Sequence, residues 1–259
     1  MIRLTYLLRR KPDLSLEEFQ TYWREKHGPL VAGHAERLNI LRYVQVHTLD
    51  DPINAALPGN RKMLEPYDGV AELWWTGREA FMAASASEEG RAAGAELIED
   101  EKQFIDLPDS PIWAAYEYPQ VNPSPENIVA LENSSLLKFY YPLRHLPGMT
   151  MEEAQLYWRT SHGPIIRRMA PQMGILRYVQ VHRFEDELEK GLREARGTKE
   201  PPFMGHAELW FDRTGMMTGF EMPERIRANE AAYADESKFI DFSRSAMWVA
   251  KEHVFVDRR

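Results

Sequence analysis

Two histidines in equivalent contexts are the first candidates for chemistry in this chain. His27 follows Trp23 by four residues, and His162 follows Trp158 by four residues. Residues four apart share one face of a helix, so we expect each imidazole to lie beside an indole. We expect Gly28-Pro29 to stop or bend the helix just beyond His27, which places His27 at a carboxyl terminus whose free carbonyls favour a charged imidazole.

Burial would lower the pKa of these histidines, whereas a helix end would raise it. The two influences together predict a group that titrates near neutral pH and serves as a general acid or base. The alternative is a structural histidine that hydrogen-bonds the helix end and fixes the Gly-Pro turn. The sequence leaves both interpretations open.

A second candidate set alternates along two strands. Tyr43, Gln45 and His47 fall on one face of the first strand, since successive strand residues point to opposite faces. The equivalent residues of the second strand are Tyr178, Gln180 and His182. Such a polar row predicts a pocket that grips a phenol, ketone or carboxylate, with His47 and His182 as further proton-transfer groups. The alternative is that Gln and His meet solvent at the strand end.

A third set is a pair of glutamates within repeated Ala-Glu-Leu-Trp segments. Glu72 and Glu208 lie in mid-strand, where burial would raise the pKa of a carboxyl and suit it to proton transfer or substrate binding. They could equally pair with Arg42 or Arg177 across the sheet. His206 lies beside Glu208 in the second segment only, so the two copies have diverged there.

Composition limits the classes of partner and cofactor. The chain has 259 residues, of which 44% are hydrophobic and 28% charged, and its net charge of −8 disfavours binding to phosphate backbones. It has no cysteine, no histidine spacing typical of a metal site and no nucleotide-binding motif, so we expect neither metal nor cofactor. No apolar run reaches the ~20 residues of a membrane span, and basic residues stand where a signal peptide is apolar. These features favour a cytoplasmic protein that binds neither membranes nor nucleic acid.

An internal repeat explains why each candidate occurs twice. Residues 14–47 and 149–182 are identical at 18 of 34 aligned positions, and the alignment places His162 opposite His27. An offset of 135 or 136 residues relates the later motifs of the two halves. We predict a first domain over 1–120, a proline-rich linker over 121–135 and a second domain over 136–259.

The elements of each half predict its fold class. A strand over 2–8 precedes a helix that begins at Ser15, where Glu18 completes a capping box. Alternating segments and a helical stretch over 78–103 complete the order β-α-β-β-α-β, typical of ferredoxin-like folds. Two helices cover only one face of such a sheet, so the other must be buried. We therefore predict an α+β fold in which two ferredoxin-like repeats pack sheet to sheet as a pseudo-dimeric α+β barrel, with a further homodimer left open.

The repeated motifs resemble the EthD domain family of the dimeric α+β barrel superfamily. The motifs that carry the resemblance are Tyr22-Trp-Arg24, His27-Gly-Pro29, Tyr43–His47, Tyr67–Trp74 and Asp100-Glu101 with Phe104–Asp106, most of which recur in the second half. The second half departs from the pattern where Met204 replaces Asp68 and His206 replaces Val70. The family resemblance implies degradation of an ether fuel additive alongside an oxidative system, or decarboxylase and dehydratase reactions. The wider superfamily adds cofactor-free monooxygenases, isomerases, cyclases and haem enzymes.

These observations predict a cofactor-free enzyme that acts on a small apolar or aromatic molecule. In this interpretation Trp23 or Trp158 forms the apolar wall, the Tyr-Gln pairs orient the molecule, and histidines move a proton next to a carbonyl. Such chemistry suits a lyase, decarboxylase, dehydratase or isomerase, or an oxidoreductase that oxygenates an electron-rich aromatic. The alternative is a non-catalytic small-molecule-binding protein that serves an oxidative degradation system.

Overall fold

The computed structural model describes residues 1–122, 128–219 and 221–259. The strands in these ranges are β1 (Ile2–Leu8), β2 (Arg42–Thr48), β3 (Gly69–Trp75), β4 (Ile112–Val121), β5 (Leu136–Leu143), β6 (Arg177–Arg183), β7 (Gly205–Asp212) and β8 (Trp248–Asp257). The α-helices are α1 (Leu16–Tyr22), α2 (Gly28–Gly33), α3 (Ile53–Ala56), α4 (Arg78–Ala86), α5 (Glu88–Phe104), α6 (Met151–Tyr157), α7 (Gly163–Met173), α8 (Glu187–Arg196), α9 (Arg213–Thr218) and α10 (Pro223–Glu236). None of the helices in the described ranges is long and apolar enough to cross a membrane.

The strands close into one antiparallel barrel in the order β1-β3-β2-β8-β5-β7-β6-β4. The first half of the chain supplies β1 to β4 and the second half supplies β5 to β8. The halves meet at two seams, where β4 pairs with β6 and β8 pairs with β2. The chain is therefore an α+β protein, and the expectation that its two halves close a barrel is confirmed.

Strand alternation divides the buried side chains between the barrel interior and the helix layers. On β2, Val44 and Val46 belong to the interior cluster, whereas Tyr43 packs with the helices of the first half. On β6, Tyr178 packs with the helices of the second half in the same way. The predicted alternation is confirmed, so the Tyr-Gln-His rows face the helices.

Both predicted capping boxes are present. The Ser15 hydroxyl accepts the Glu18 N–H at 3.2 Å, and the Glu18 carboxylate accepts the Ser15 N–H at 2.8 Å. Thr150 and Glu153 repeat the arrangement at 3.1 and 2.9 Å. These reciprocal bonds satisfy backbone donors that the first helical turn would otherwise leave free, and they fix where α1 and α6 begin.

The helix that carries each candidate histidine continues past the Gly-Pro pair, so the predicted helix end is wrong. A π-helical turn, Trp23–His27 or Trp158–His162, joins α1 to α2 and α6 to α7. Proline is accommodated because it follows the π-helical turn and occupies the first turn of the next helical segment. Glycine is favoured at position 163 because a Cβ there would lie 3.0 Å from Gln180 Nε2. Free helix-end carbonyls therefore do not act on these histidines.

One other boundary differs from the prediction. The stretch 78–103 forms two helices, because Ser87 caps the second one by accepting a backbone N–H at 2.9 Å. The last strand of the first half extends to Val121, so Pro119 belongs to β4. The pairing of β4 with β6 shifts register at this point, where proline has no N–H to donate. Of the predicted linker, residues 123–127 lie outside the described residues.

Candidate active site

A cavity of about 210 Å³ lies between the sheet and helices α7 and α10 of the second half. Three predicted site residues line it, namely Trp158, His162 and Tyr178. Much of the remaining wall is apolar and includes Phe139, Ile166, Leu209, Phe211, Met216 and Ala232. The first half contributes Leu57 and Arg61, so the cavity is built from both halves.

His162 is held in the cavity wall by a carboxylate. Its Nδ1 lies 2.9 Å from the Asp235 carboxylate, which also accepts hydrogen bonds from the Tyr157 hydroxyl at 2.7 Å and Lys238 Nζ at 2.9 Å. Burial by itself would raise the pKa of Asp235, but these hydrogen bonds hold it below its usual value. An ionised carboxylate only accepts hydrogen bonds, so Nδ1 carries the hydrogen and Nε2 is left as the basic nitrogen.

The first half repeats this arrangement around a smaller space. His27 Nδ1 lies 2.7 Å from the Asp100 carboxylate, which also accepts a hydrogen bond from Tyr22 at 2.8 Å. Trp23, His27 and Tyr43 line a cavity of about 60 Å³. Because a water molecule occupies ~30 Å³ of liquid, this space is suited to solvent rather than to an organic molecule.

One substitution between the halves has the same direction as the difference in volume. Leu97 of α5 lines the first cavity, and Ala232 of α10, at the equivalent position of the repeat, lines the second. Leucine has three more carbon atoms than alanine and lies in the smaller cavity.

Each cavity is completed by an arginine from the opposite half. Arg61 pairs with Glu236 at 2.7 and 3.1 Å, and Arg196 pairs with Glu101 at 2.7 Å through two nitrogens. The two arginines occupy the same position of the repeat, so the pairs are equivalent. In the first half the Arg196 guanidinium lies 5.2 Å from the Tyr6 ring, and the Arg196–Glu101 pair lines the small cavity.

Arg61 differs from Arg196 in the aromatic rings that surround its guanidinium. Its guanidinium lies 4.7 Å from the Tyr233 ring and 5.4 Å from the Phe242 ring. The first half has Ile98 and Leu107 at the equivalent positions. Cation–π attraction therefore draws Arg61 toward α10 and the turn that follows it. The equivalent side chains near Arg196 are aliphatic and provide no such attraction.

Comparison with known proteins assigns the family. The model of the EthD domain matches residues 11–108 and 146–243. The chain belongs to the EthD family. No curated protein matches this EthD chain.

Solved structures share its fold. An anthrone oxidase-like protein is 10% identical, with a TM-score of 0.53 over 100% of this EthD chain and 94% of that protein. A proposed monooxygenase from Fusobacterium nucleatum is 8% identical, with a TM-score of 0.54 over 98% of this chain and 93% of that protein. At these identities the likeness shows the fold alone.

Four predicted site residues lie behind the cavities of the EthD chain. Gln180 donates to the Trp158 carbonyl at 2.9 Å and to the Tyr178 hydroxyl at 3.1 Å, and His182 stacks on Trp158 with the ring centres 4.5 Å apart. Burial lowers the pKa of His182 to about 3, so the ring is neutral. Gln45 and His47 make the equivalent contacts in the first half. These residues position the indole and phenol instead of lining the larger cavity.

The two candidate glutamates lie inside the barrel, on the other face of the sheet. Glu72 lies 2.7 Å from both Arg3 and Lys138, and Glu208 contacts the same two cations. Burial raises the pKa of Glu72 to about 8. Burial acts on Glu208 in the same direction, but Arg3 and Lys138 hold its pKa well below the usual value. The two carboxyls therefore hold one proton between them near neutral pH.

The prediction that these glutamates pair with Arg42 or Arg177 is wrong. Arg42 and Arg177 lie over the rings of Trp74 and Trp210, at 4.8 and 4.5 Å from the ring centres, instead of forming ion pairs with the glutamates. The cations that approach the glutamates come from the neighbouring strand of the same half and from the opposite half. Alternation along one strand predicts the face of a residue, but barrel closure decides what lies across the interior.

His206 also belongs to the barrel interior. Its Nε2 lies 3.2 Å from Glu208 and from Arg3, and burial lowers the pKa of the imidazole to about 3. Glu72, His206 and Glu208 are thus separated from Trp158, His162 and Tyr178 by the sheet. Among residues 1–122, 128–219 and 221–259, no group of three His, Asp or Glu side chains is arranged to hold a metal ion.

Sequence reasoning missed four functional groups of the second cavity. Asp235 and Glu236 repeat Asp100-Glu101, and this repeated spacing from the histidines was the available signal. Arg61 and Tyr141 also have equivalents in the other half. Their approach to the cavity depends on how the halves join, which spacing along the chain does not reveal.

Proposed function

We propose that this EthD protein is an enzyme that binds a small, largely apolar or aromatic molecule in its second half and removes a proton from it with His162. The observation that carries this proposal is the His162–Asp235 pair in the wall of an apolar cavity of about 210 Å³. Buried apolar walls with a few polar groups are typical of small-molecule sites.

The geometry supports His162 as a general base. Its Nδ1–H donates to ionised Asp235, so Nε2 accepts a proton from an acidic C–H or a phenol, and Asp235 stabilises the imidazolium that forms. Trp158 and the apolar wall exclude water from the reacting molecule. Proton removal next to a carbonyl begins lyase and isomerase reactions, and an electron-rich aromatic carbanion formed in this way can react with dioxygen.

The fold relatives support an oxidative outcome within this proposal. Their descriptions as an anthrone oxidase-like protein and a proposed monooxygenase agree with proton removal followed by reaction with dioxygen. We further propose that one chain suffices for the site, because both barrel seams close within it.

Hydrogen exchange tests proton removal without a redox partner. We predict that the protein accelerates deuterium uptake by 2-tetralone, an aromatic ketone with acidic C–H groups, above the rate in buffer. His162→Gln should reduce the enzyme-dependent rate by about 100-fold or more, because a positioned base contributes roughly 10²–10⁴-fold. The measurement is loss of the 2-tetralone proton signals in D₂O by NMR.

The matched control is His27→Gln, which changes the equivalent histidine beside the small cavity and should leave the rate unchanged. Equal rates for wild type and His162→Gln would contradict the proposal. Saturable binding of 2-tetralone without exchange would instead identify a non-catalytic binding protein.

A further inference from the structure

The second cavity contains a phenol, Tyr141, whose hydroxyl proton has no acceptor among the described residues. Tyr141 lines the cavity and is 5% exposed, and the side chain in contact with its buried hydroxyl is that of Arg61, which only donates. The phenol oxygen therefore accepts, and its own proton is left to donate. Tyr178, the other phenol of the cavity, accepts from the neutral groups of Trp158 and Gln180 instead of from a cation.

The groups around Tyr141 favour a hydrogen-bond donor in this position. Burial and the Glu236 carboxylate raise the pKa of Tyr141 well above its usual value, so the phenol keeps its proton. Arg61, which contacts the Tyr141 hydroxyl, also forms two hydrogen bonds with Glu236. A protonated phenol beside a guanidinium suits an oxygen that carries, or develops, negative charge.

The first half shows what the same phenol does without space for a ligand. Tyr6 is equivalent to Tyr141, and its hydroxyl, in contact with Arg196, also has no acceptor for its proton among the described residues. Its cavity of about 60 Å³ admits water, whereas the cavity at Tyr141, of about 210 Å³, exceeds the ~150 Å³ that holds a benzene ring in other proteins. The free hydroxyl proton therefore meets a ligand-sized space only in the second half.

We propose that Tyr141 donates a hydrogen bond to the carbonyl oxygen of the molecule bound in the second cavity, so that the substrates are small apolar ketones. This inference rests on the proposed function. When His162 removes a proton next to the carbonyl, the negative charge moves to the carbonyl oxygen as the enolate forms. Tyr141 then stabilises that oxygen while Asp235 stabilises protonated His162, and the enolate regains a proton from His162 in the reverse step.

Two ligands and two tyrosine variants test this inference. Tetralin has the ring skeleton of 2-tetralone without the carbonyl, so their dissociation constants isolate the contribution of the oxygen. We expect wild type to prefer 2-tetralone by about two- to tenfold, the range that one net hydrogen bond supplies. Tyr141→Phe should bind 2-tetralone no more tightly than tetralin, because the buried carbonyl then has no donor, while its affinity for tetralin is unchanged, which also shows that the variant is folded. Tyr6→Phe, the matched control, should keep the wild-type preference.

The outcomes separate the two proposals. An undiminished preference in Tyr141→Phe overturns the role of Tyr141 but leaves exchange by His162 intact. Loss of the preference in Tyr141→Phe supports the inference. It does so even where His162→Gln still exchanges the ketone, a result that would show only that the proposed base is wrong. Failure of wild type to bind either ligand overturns both, because it shows that the cavity takes neither molecule.

Discussion

At the scale of single residues, the Asp235 carboxylate determines which nitrogen of His162 is basic. It accepts hydrogen bonds from His162, Tyr157 and Lys238, and these contacts keep it ionised and fixed in place. The imidazole must then place its hydrogen on Nδ1. A neutral amide in the same place has no such preference, since its NH₂ group can donate to Nδ1 and shift the hydrogen to Nε2.

Asp235→Asn should therefore slow deuterium uptake by 2-tetralone by at least about tenfold, because the basic nitrogen is then turned away from the substrate. The rate is measured by NMR in D₂O, as for His162→Gln. Asp100→Asn makes the same change behind His27 and should leave the rate unaltered. A wild-type rate for Asp235→Asn would show that the carboxylate does not set the tautomer.

At the scale of elements, the two long helices α5 and α10 determine which half has room for a ligand. They occupy equivalent positions, yet the residue that faces the cavity is Leu97 in one and Ala232 in the other. The elements that face them across each cavity are closely similar in sequence and present the same Trp, His and Tyr side chains. The two cavities therefore differ at the helix, α5 or α10, and share the Trp, His and Tyr side chains that face it.

Ala232→Leu should fill the second cavity and weaken tetralin binding by at least about tenfold, because a well-packed site has no room for both the leucine and the ligand. Isothermal titration calorimetry measures the affinity, and circular dichroism confirms the fold. Leu97→Ala is the reciprocal change. It should leave tetralin binding at the second cavity unchanged while lowering the free energy of unfolding by about 2–5 kcal/mol. Unaltered binding by Ala232→Leu would place the ligand elsewhere.

At the scale of the whole molecule, charged side chains from both halves contact one another in the barrel interior. Arg3 and Glu72 come from the first half, whereas Lys138 and Glu208 come from the second, and each cation contacts both glutamates. Ala130, which follows residues 123–127 along the chain, also contacts a buried carboxylate, because its N–H donates to Glu252 at 2.7 Å. Closure of the barrel thus brings ionisable groups from both halves into one buried cluster.

This cluster predicts how stability depends on pH. The pKa of Glu72 is raised from 4.5 to about 8 in the folded state. The proton on Glu72 stabilises the fold fully below its unfolded pKa, and this contribution is lost as the pH rises through the folded pKa. His182 and His206, whose pKa is lowered by burial from 6.5 to about 3, act in the opposite sense below about pH 6.5, because the unfolded chain binds their protons first. The free energy of unfolding of wild type should therefore fall between about pH 7 and pH 8.

Glu72→Gln keeps a neutral side chain at every pH and should flatten that decline, so that the variant is the more stable protein at the upper end of the range. Urea unfolding at several pH values measures the effect. Glu117→Gln serves as the control, because Glu117 also contacts Arg3 but its side chain is 24% exposed. Identical pH slopes for wild type and Glu72→Gln would show that the shared proton lies elsewhere.

The sequence predicts much of this architecture because the relevant signals are local or repeated. The capping boxes and the strand alternation each depend on residues a few positions apart, and the structure contains both. The duplicated Trp and His residues line each cavity together, but the imidazole stacked on each indole is that of His47 or His182. The helix end at Gly28-Pro29 is wrong because a π-helical turn gives no signal in hydrophobic periodicity. Two helices over 78–103 were missed for a similar reason, since Ser87 interrupts the helix without changing its composition.

The candidate site was less predictable because its members come from distant segments. Gln180 and His182 share a strand face with Tyr178, but only the packed indole shows that they support the site without lining it. Arg61 enters from the other half, and the Leu97–Ala232 difference is one of many substitutions between the copies. Cavity volume depends on how side chains pack in three dimensions, and the pattern of residue types along the sequence does not specify that packing.

The reach of Arg61 across the barrel has an evolutionary consequence. A lone ancestral module would have needed a sister subunit to supply this arginine, and a change in one gene would have altered both sites together. After duplication and fusion, each copy could mutate separately. The two cavities now differ in volume, and Arg61 of the first half lines the larger one, in the second half. The reaction proposed for the second half would therefore place selection on a residue of the first half, a separation of roles that identical subunits cannot achieve.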